Sequence, residues 1–247
     1  MCQAGVQRRR TDSASLEKTA YFRQRCHLYD ALRRGFFLEP DERSVSFWHL
    51  FCREAPPPGA PTIMRDGYDD MNAHFSSHAP LSNEQDKDSL HWEFTRLFIG
   101  PMPPEAPPWA SCYLEPDGLL FQETTLWVRT RYQAHGFMAG EHVNAEADDH
   151  IGIEFDFLYR LGEETVQALE EGGDPEVLRR LLQDQLAFLS AHLLRFVDRF
   201  RRRVEDRAAL PYYRGMARIA QGFVESDKNA VEEMLNGIAS DKEASNG

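Results

Sequence analysis

The residues best suited to chemistry lie in one short acidic stretch. Residues 141–156 hold Glu141, Glu146, Asp148, Asp149, Glu154 and Asp156, with no Lys or Arg among them. Asp148-Asp149-His150 is followed four residues later by Glu154. A His–Glu pair at that helical spacing invites comparison with a metal site or an acid–base pair. A metal needs three or four converging ligands, and this pattern supplies two. His135 and His142 belong to other segments, so the pair reads as a helix-surface contact. The acidic run also suits a helix start, with Asp148 or Asp149 as N-cap and a solvated acidic face beyond it. The pattern also suits an acceptor for a basic partner, because carboxylates bind guanidinium groups in bidentate geometry.

A second cluster is apolar. Leu90, Phe94, Leu97 and Phe98 stand at i, i+4, i+7 and i+8 in 83–99, and such a face is first of all a core face. Gly100-Pro101 ends it. Residues 101–117 then hold six prolines in seventeen positions, which excludes a helix and predicts a long ordered loop or hinge. Met102, Pro108, Trp109 and Tyr113 offer apolar surface there, and Met adapts to varied apolar sequences. G-x-S-x-G, G-x-x-x-x-G-K-S/T and G-x-G-x-x-G are all absent.

The elements that must position these residues read as helices throughout. The pattern predicts helices over 16–37, with Phe22, Cys26 and Tyr29 on one face, over 63–74, and over 83–99 with Ser82 as N-cap. A short aromatic element spans 44–51 and is broken by the prolines of 55–61. Further helices cover 124–135, closed by Gly136, and a stretch carrying Ile151, Phe155, Leu158 and Gly162. Asp174-Pro175 starts the clearest one, 175–204, and a last helix begins near Pro211. No alternating run or hairpin signal appears. The fold class is all-α: a helical bundle of about nine to eleven helices in one domain over 15–235. The loop divides it into 15–100 and 118–235, with tails at 1–14 and 236–247.

Composition narrows the function classes. With 247 residues, 42% of them hydrophobic, the chain can bury a substantial core. A net charge of -12 argues against nucleic-acid binding and suits a basic partner. The four cysteines form no C-x-x-C pair, so neither a disulfide framework nor a zinc site is expected. No run is apolar enough to span a membrane. Arg8-Arg9-Arg10 is followed by polar residues rather than an apolar leader segment, which predicts a cytoplasmic location.

Three segments together resemble the TorD/DmsD/NarJ family of redox-enzyme maturation chaperones. They are Trp92-Glu93-Phe94-Thr95-Arg96-Leu97-Phe98-Ile99-Gly100-Pro101, then Pro107-Pro108-Trp109-Ala110-Ser111-Cys112-Tyr113, then Asp148-Asp149-His150-Ile151-Gly152-Ile153-Glu154. LLFQETTLWVRTRY resembles the family's helix after the loop, and LAFLSAHLLRFVDRF and LPYYRGMARIA its last two helices, so the likeness covers about 16–230. The P-P-W loop is most similar to the DmsD-like branch. Gln122, where the family often has glycine, Cys112 and Met102 depart from the pattern.

The resemblance implies a TorD-like fold and a binding protein rather than an enzyme, with no cofactor or metal. Its implied partner is the twin-arginine signal peptide of a molybdoenzyme precursor, held back from Tat export until the cofactor is inserted. The Tat machinery and molybdenum cofactor biosynthesis proteins are further implied partners. The peptide-binding residues it implies are Phe94, Leu97, Phe98, Met102, Pro108, Trp109, Ser111, Tyr113, Gln122, Asp149, His150 and Glu154. A monomer and a domain-swapped dimer both fit a proline-strained hinge. Two alternatives stay open: a NarJ-like assembly chaperone for a non-exported subunit, and a small all-α metal-dependent hydrolase built on Asp148, Asp149, His150 and Glu154.

Overall fold

The structure, a computed structural model, describes residues 2–77, 84–138 and 146–245, with side chains described from 18 to 238 within those stretches. Ser82, Glu141 and His142 lie outside the described residues. Helix α1 (Cys2–Phe37) is followed by α2 (Glu42–Arg53), α3 (Thr62–Ser77) and α4 (Glu84–Phe94), which continues into a π-helical turn, Thr95–Ile99. Next come α5 (Ser111–Leu114), α6 (Glu123–Ala134) and α7 (Ile151–Glu170). Helix α8 (Pro175–Phe188) runs through a second π turn, Leu189–Leu193, into α9 (Leu194–Arg207), and α10 (Pro211–Ser245) closes the chain. Among the described residues there is no strand, only one isolated bridge between Trp109 and His150. The all-α reading holds.

Local chemistry explains most boundaries. Asp41 caps α2 reciprocally with Ser44. Gly100, at φ 102°, ends the π turn by donating its N–H to the Thr95 carbonyl. Asp174 caps α8, with Pro175 at its first position. The helix expected over 175–204 is α8 and α9 joined by the π turn. Helices α1 and α10 extend into the segments read as tails; of these only the side chains of 236–238 are described, and Ile238 packs against the core. One expectation fails: the loop 101–117 is not free of helix. Residues 109–115 hold no proline, and four of them close the single turn α5.

The bundle is layered by two long pairings, α1 along α7 and α10 along α3. Glycines permit both. A Cβ on Gly162 would lie 2.7 Å from the Cys26 sulfur, and one on Gly215 would lie 2.7 Å from the Gly67 carbonyl. Because α1 and α3 precede the proline-rich loop and α7 and α10 follow it, the core interleaves both halves of the chain.

One polar cluster crosses that core. The Arg25 and Asp227 side chains are fully buried, with Arg25 Nε donating to Asp227 Oδ1 at 2.5 Å. Tyr29 donates its hydroxyl to Asp227 Oδ2 at 2.6 Å, and Arg25 Nη1 donates to Gln185 Oε1 at 2.5 Å. Gln185 Nε2 in turn donates to Thr165 Oγ1 at 2.9 Å, so α1, α7, α8 and α10 meet here. Removing one partner strands the other charge in an apolar interior. Asp227→Ala is therefore expected to cost about 3–5 kcal/mol of unfolding free energy in urea titration. A loss below about 1 kcal/mol, the level of an exposed pair, contradicts this.

Candidate functional site

The loop after Gly100 folds back over the helix it leaves. Glu105 N–H donates to the Arg96 carbonyl at 3.2 Å and Ala106 N–H to the Leu97 carbonyl at 2.8 Å. These satisfy carbonyls that a helix end leaves unpaired. The loop then meets the start of α7. Ala110 N–H donates to the Asp149 carbonyl at 2.9 Å, and Ile151 N–H donates to the Pro108 carbonyl at 2.8 Å. The P-P-W-x-S and D-D-H segments, some forty residues apart, thus form one unit.

Asp149 fixes that unit. Its side chain is wholly buried. Oδ2 accepts from Ser111 N–H at 2.8 Å, and Oδ1 accepts from the Thr125 hydroxyl at 2.8 Å. One carboxylate therefore ties α5, α6 and the approach to α7. This corrects the expectation that Asp148 or Asp149 caps α7. The N-cap is His150, whose Nδ1 accepts from Gly152 N–H at 3.0 Å, because Asp149 is turned toward the loop. Asp148 instead accepts from Arg129 Nε at 2.6 Å.

His150 is buried between two aromatic edges, Phe37 at 5.0 Å and Trp109 at 5.8 Å between ring centroids. Burial pushes its pKa down to about 3, so the ring is neutral, as its accepting Nδ1 requires. The expected His150–Glu154 surface contact is also corrected: both residues are buried and Glu154 turns to His192. Glu154 Oε1 lies 2.5 Å from His192 Nε2, and the Trp127 ring stacks on His192 at 5.2 Å. Burial pushes the Glu154 carboxyl up to about 7 against the opposite pull of His192. Glu154 Oε2, Ser111 Oγ and Trp109 Nε1 are buried without a hydrogen-bond partner. Asp149, His150 and Glu154 thus serve different partners. Among the described residues no group of three or more His, Cys, Asp or Glu side chains is placed to hold a metal.

The structure divides the remaining sequence-implied residues. Phe94, Leu97 and Phe98 lie in the core, with Phe98 packed edge-on against Phe36 at 5.8 Å. Pro108 and Ser111 are buried. Trp109, Tyr113 and Gln122 are half-buried, and the Tyr113 hydroxyl donates to the Pro107 carbonyl. Met102 alone of the set is largely exposed, at 75%. Trp92 at 66% and Ile99 at 54%, in the helical segment before it, and Leu38 at 50%, in the α1–α2 turn, are exposed too and lie outside the set that the motifs imply. Trp92 and Ile99 flank the buried Phe94, Leu97 and Phe98 in the same helical segment, and that outward placement was available from the helical spacing. The α1–α2 turn sits beside α4, since His91 Nδ1 lies 2.9 Å from Glu39. His192 and Thr125 carried no local signal.

The two buried titratable groups give opposite pH dependences. His150, lowered when folded, contributes stability that is complete above about 6.5 and lost as pH falls toward 3. Glu154, raised when folded, contributes stability that is complete below about 4.3 and lost as pH rises through 7. Each is worth about 1.4 kcal/mol per pH unit within its window. His150→Asn keeps a capping acceptor, and its stability is expected to fall more steeply than wild type as pH rises from about 5 to 6.5. Glu154→Gln is expected to show the reverse. Urea midpoints across that range check both, and slopes equal to wild type in both variants contradict the burial argument.

The sequence matches the model of the family described as nitrate reductase delta subunit over residues 64–202. It is 33% identical to "Chaperone protein TorD" of Vibrio cholerae serotype O1 over 156 residues, covering 63% of this chain and 68% of that one. It is 28% identical to the Photobacterium profundum protein of the same name, over 55% of this chain and 60% of the relative. It is 29% identical to "Tat proofreading chaperone DmsD" of Salmonella typhi, over 58% and 62%. Relatives of both names match, so the DmsD-like branch is not singled out.

Proposed function

This chain belongs to the nitrate reductase delta subunit family, and we propose that it is a redox-enzyme maturation chaperone that binds the twin-arginine leader of a molybdoenzyme precursor. Leader binding delays export until the client has taken up its cofactor and folded. The chain acts as a binding protein without a catalytic step, and it meets its client in the cytoplasm, before export.

The observation that carries this reading is the exposure of Trp92 and Ile99, seven residues apart on one helical segment, of Met102 just beyond it, and of Leu38 in the α1–α2 turn beside α4. Scattered exposed apolar residues need no explanation, but Trp92, Ile99 and Met102 fall within eleven residues of chain that run into the stapled loop. A leader brings an apolar stretch and two arginines. The apolar stretch covers this edge as in helix-in-groove recognition. Glu39, in the α1–α2 turn, is the carboxylate beside this segment; it contacts His91, and a leader guanidinium engages it in place of that partner.

Asp149, His150 and Glu154 enter this reading differently from their first assignment. Being buried, they hold the loop and α7 in register, and the leader contacts the surface they support.

A releasable leader needs only a Kd on the order of micromolar, about -8 kcal/mol. Isothermal titration of the full chain against synthetic twin-arginine leaders is expected to give saturable binding to one of them. An Arg-Arg to Lys-Lys control should bind more weakly. Trp92→Ser is expected to weaken binding by about 30-fold, the effect of losing a central aromatic anchor. A folded protein that binds no leader, or a Trp92→Ser variant that binds as tightly as wild type, contradicts the reading.

A further inference from the structure

The chain carries a net charge of -12, yet α9 reverses that sign locally. LRFVDRFRRRVEDR holds six arginines and three carboxylates. Arg201 and Arg202 are matched by ion pairs with Asp198, and Arg201 also pairs with Glu205. Arg195, Arg199 and Arg203, at i, i+4 and i+8, are exposed and make no ion pair among the described residues. Arg199 Nη1 donates to the Tyr113 carbonyl at 2.5 Å and Arg203 Nε donates to the Glu105 carbonyl at 2.6 Å. A carbonyl is a dipole and leaves the guanidinium charge uncompensated. Each arginine also keeps free donors, since the group carries five N–H bonds.

The spacing selects the ligand. Four residues of α-helix advance about 6 Å along the axis. In an extended peptide, side chains on one face recur about every 6.6–6.8 Å. We propose that Arg195, Arg199 and Arg203 form a docking stripe for an acidic, extended segment of another polypeptide, with Asp or Glu at alternate positions, lying beside the loop 101–117. The stripe is narrow and flanked by carboxylates, Asp198 on one side and Asp206 at its end, which disfavours a flat anionic surface. The negative charge elsewhere on the chain repels long polyanions and leaves this stripe as the place where an acidic strand is attracted. The inference does not depend on the leader reading: a basic leader is repelled here, and the two partners use separate surfaces.

Fluorescence anisotropy with the full chain tests it. The probe is a labelled ten-residue peptide alternating glutamate and threonine. The control carries the same number of glutamates at every third position. The alternating peptide is expected to bind saturably and at least about 5-fold more tightly than the control, with affinity falling as salt rises. Arg195 makes no hydrogen bond to the loop; the loop carboxylate in its electrostatic reach, Glu115, accepts from Thr124, so its substitution leaves the loop's hydrogen bonds intact. Arg195→Glu is expected to weaken binding about 10-fold or more, with the melting temperature and leader binding unchanged. Equal affinity for the two peptides, absence of saturable binding, or indifference to Arg195→Glu overturns the proposal. Tighter binding to phosphatidylserine vesicles than to the alternating peptide also overturns it.

Discussion

The carboxylate of Asp149 is buried, and it must find donors there or cost several kcal/mol. It finds them in the Ser111 amide and the Thr125 hydroxyl, 38 and 24 positions away. That requirement brings the proline-rich loop, the start of α6 and the entry to α7 to one point. The two backbone bonds of the Trp109–His150 bridge extend the attachment, and His150, freed from titration by burial, caps the helix in place of the aspartate. With the loop held, the helical segment before Gly100 has a fixed end; Trp92 and Ile99 are exposed on it and Met102 just after it.

Much of the fold is legible in the sequence because helix formation is local. The spacing of Phe22, Cys26 and Tyr29, the Asp174-Pro175 start and the Gly100 stop each report on a few neighbouring residues, and each is found where expected. The π turns at Thr95–Ile99 and Leu189–Leu193 and the reach of α10 depend on tertiary packing, which local pattern does not carry. The loop's single turn, α5, escaped for the same reason.

The site was less legible than the fold. The motif's polar residues Asp149, His150, Ser111 and Glu154 are interior, and Asp149 and Glu154 bond to groups far along the chain. His192 stands 38 positions from Glu154, and no spacing rule connects them. Apolar residues at core spacing proved to be core, as Phe94, Leu97 and Phe98 show. The exposed Trp92 and Ile99 that flank them carry the surface. A motif thus marks where a structure is built with care, while burial decides which of its residues a partner can touch.

Charge is distributed with the same economy of place. The interior holds Arg25 against Asp227, and the basic face of α9 clamps the loop through carbonyls rather than carboxylates. Loop and helix edge therefore form a rigid unit between an apolar border and a cationic one. Hydrogen exchange of the full chain, with and without a bound twin-arginine leader peptide, tests this unit most directly. If the leader lies on the edge that Asp149 supports, binding slows amide exchange in 92–113 and 146–154 together, because these stretches open as one. Slowed exchange elsewhere, with both stretches unchanged under saturating leader, would contradict the account.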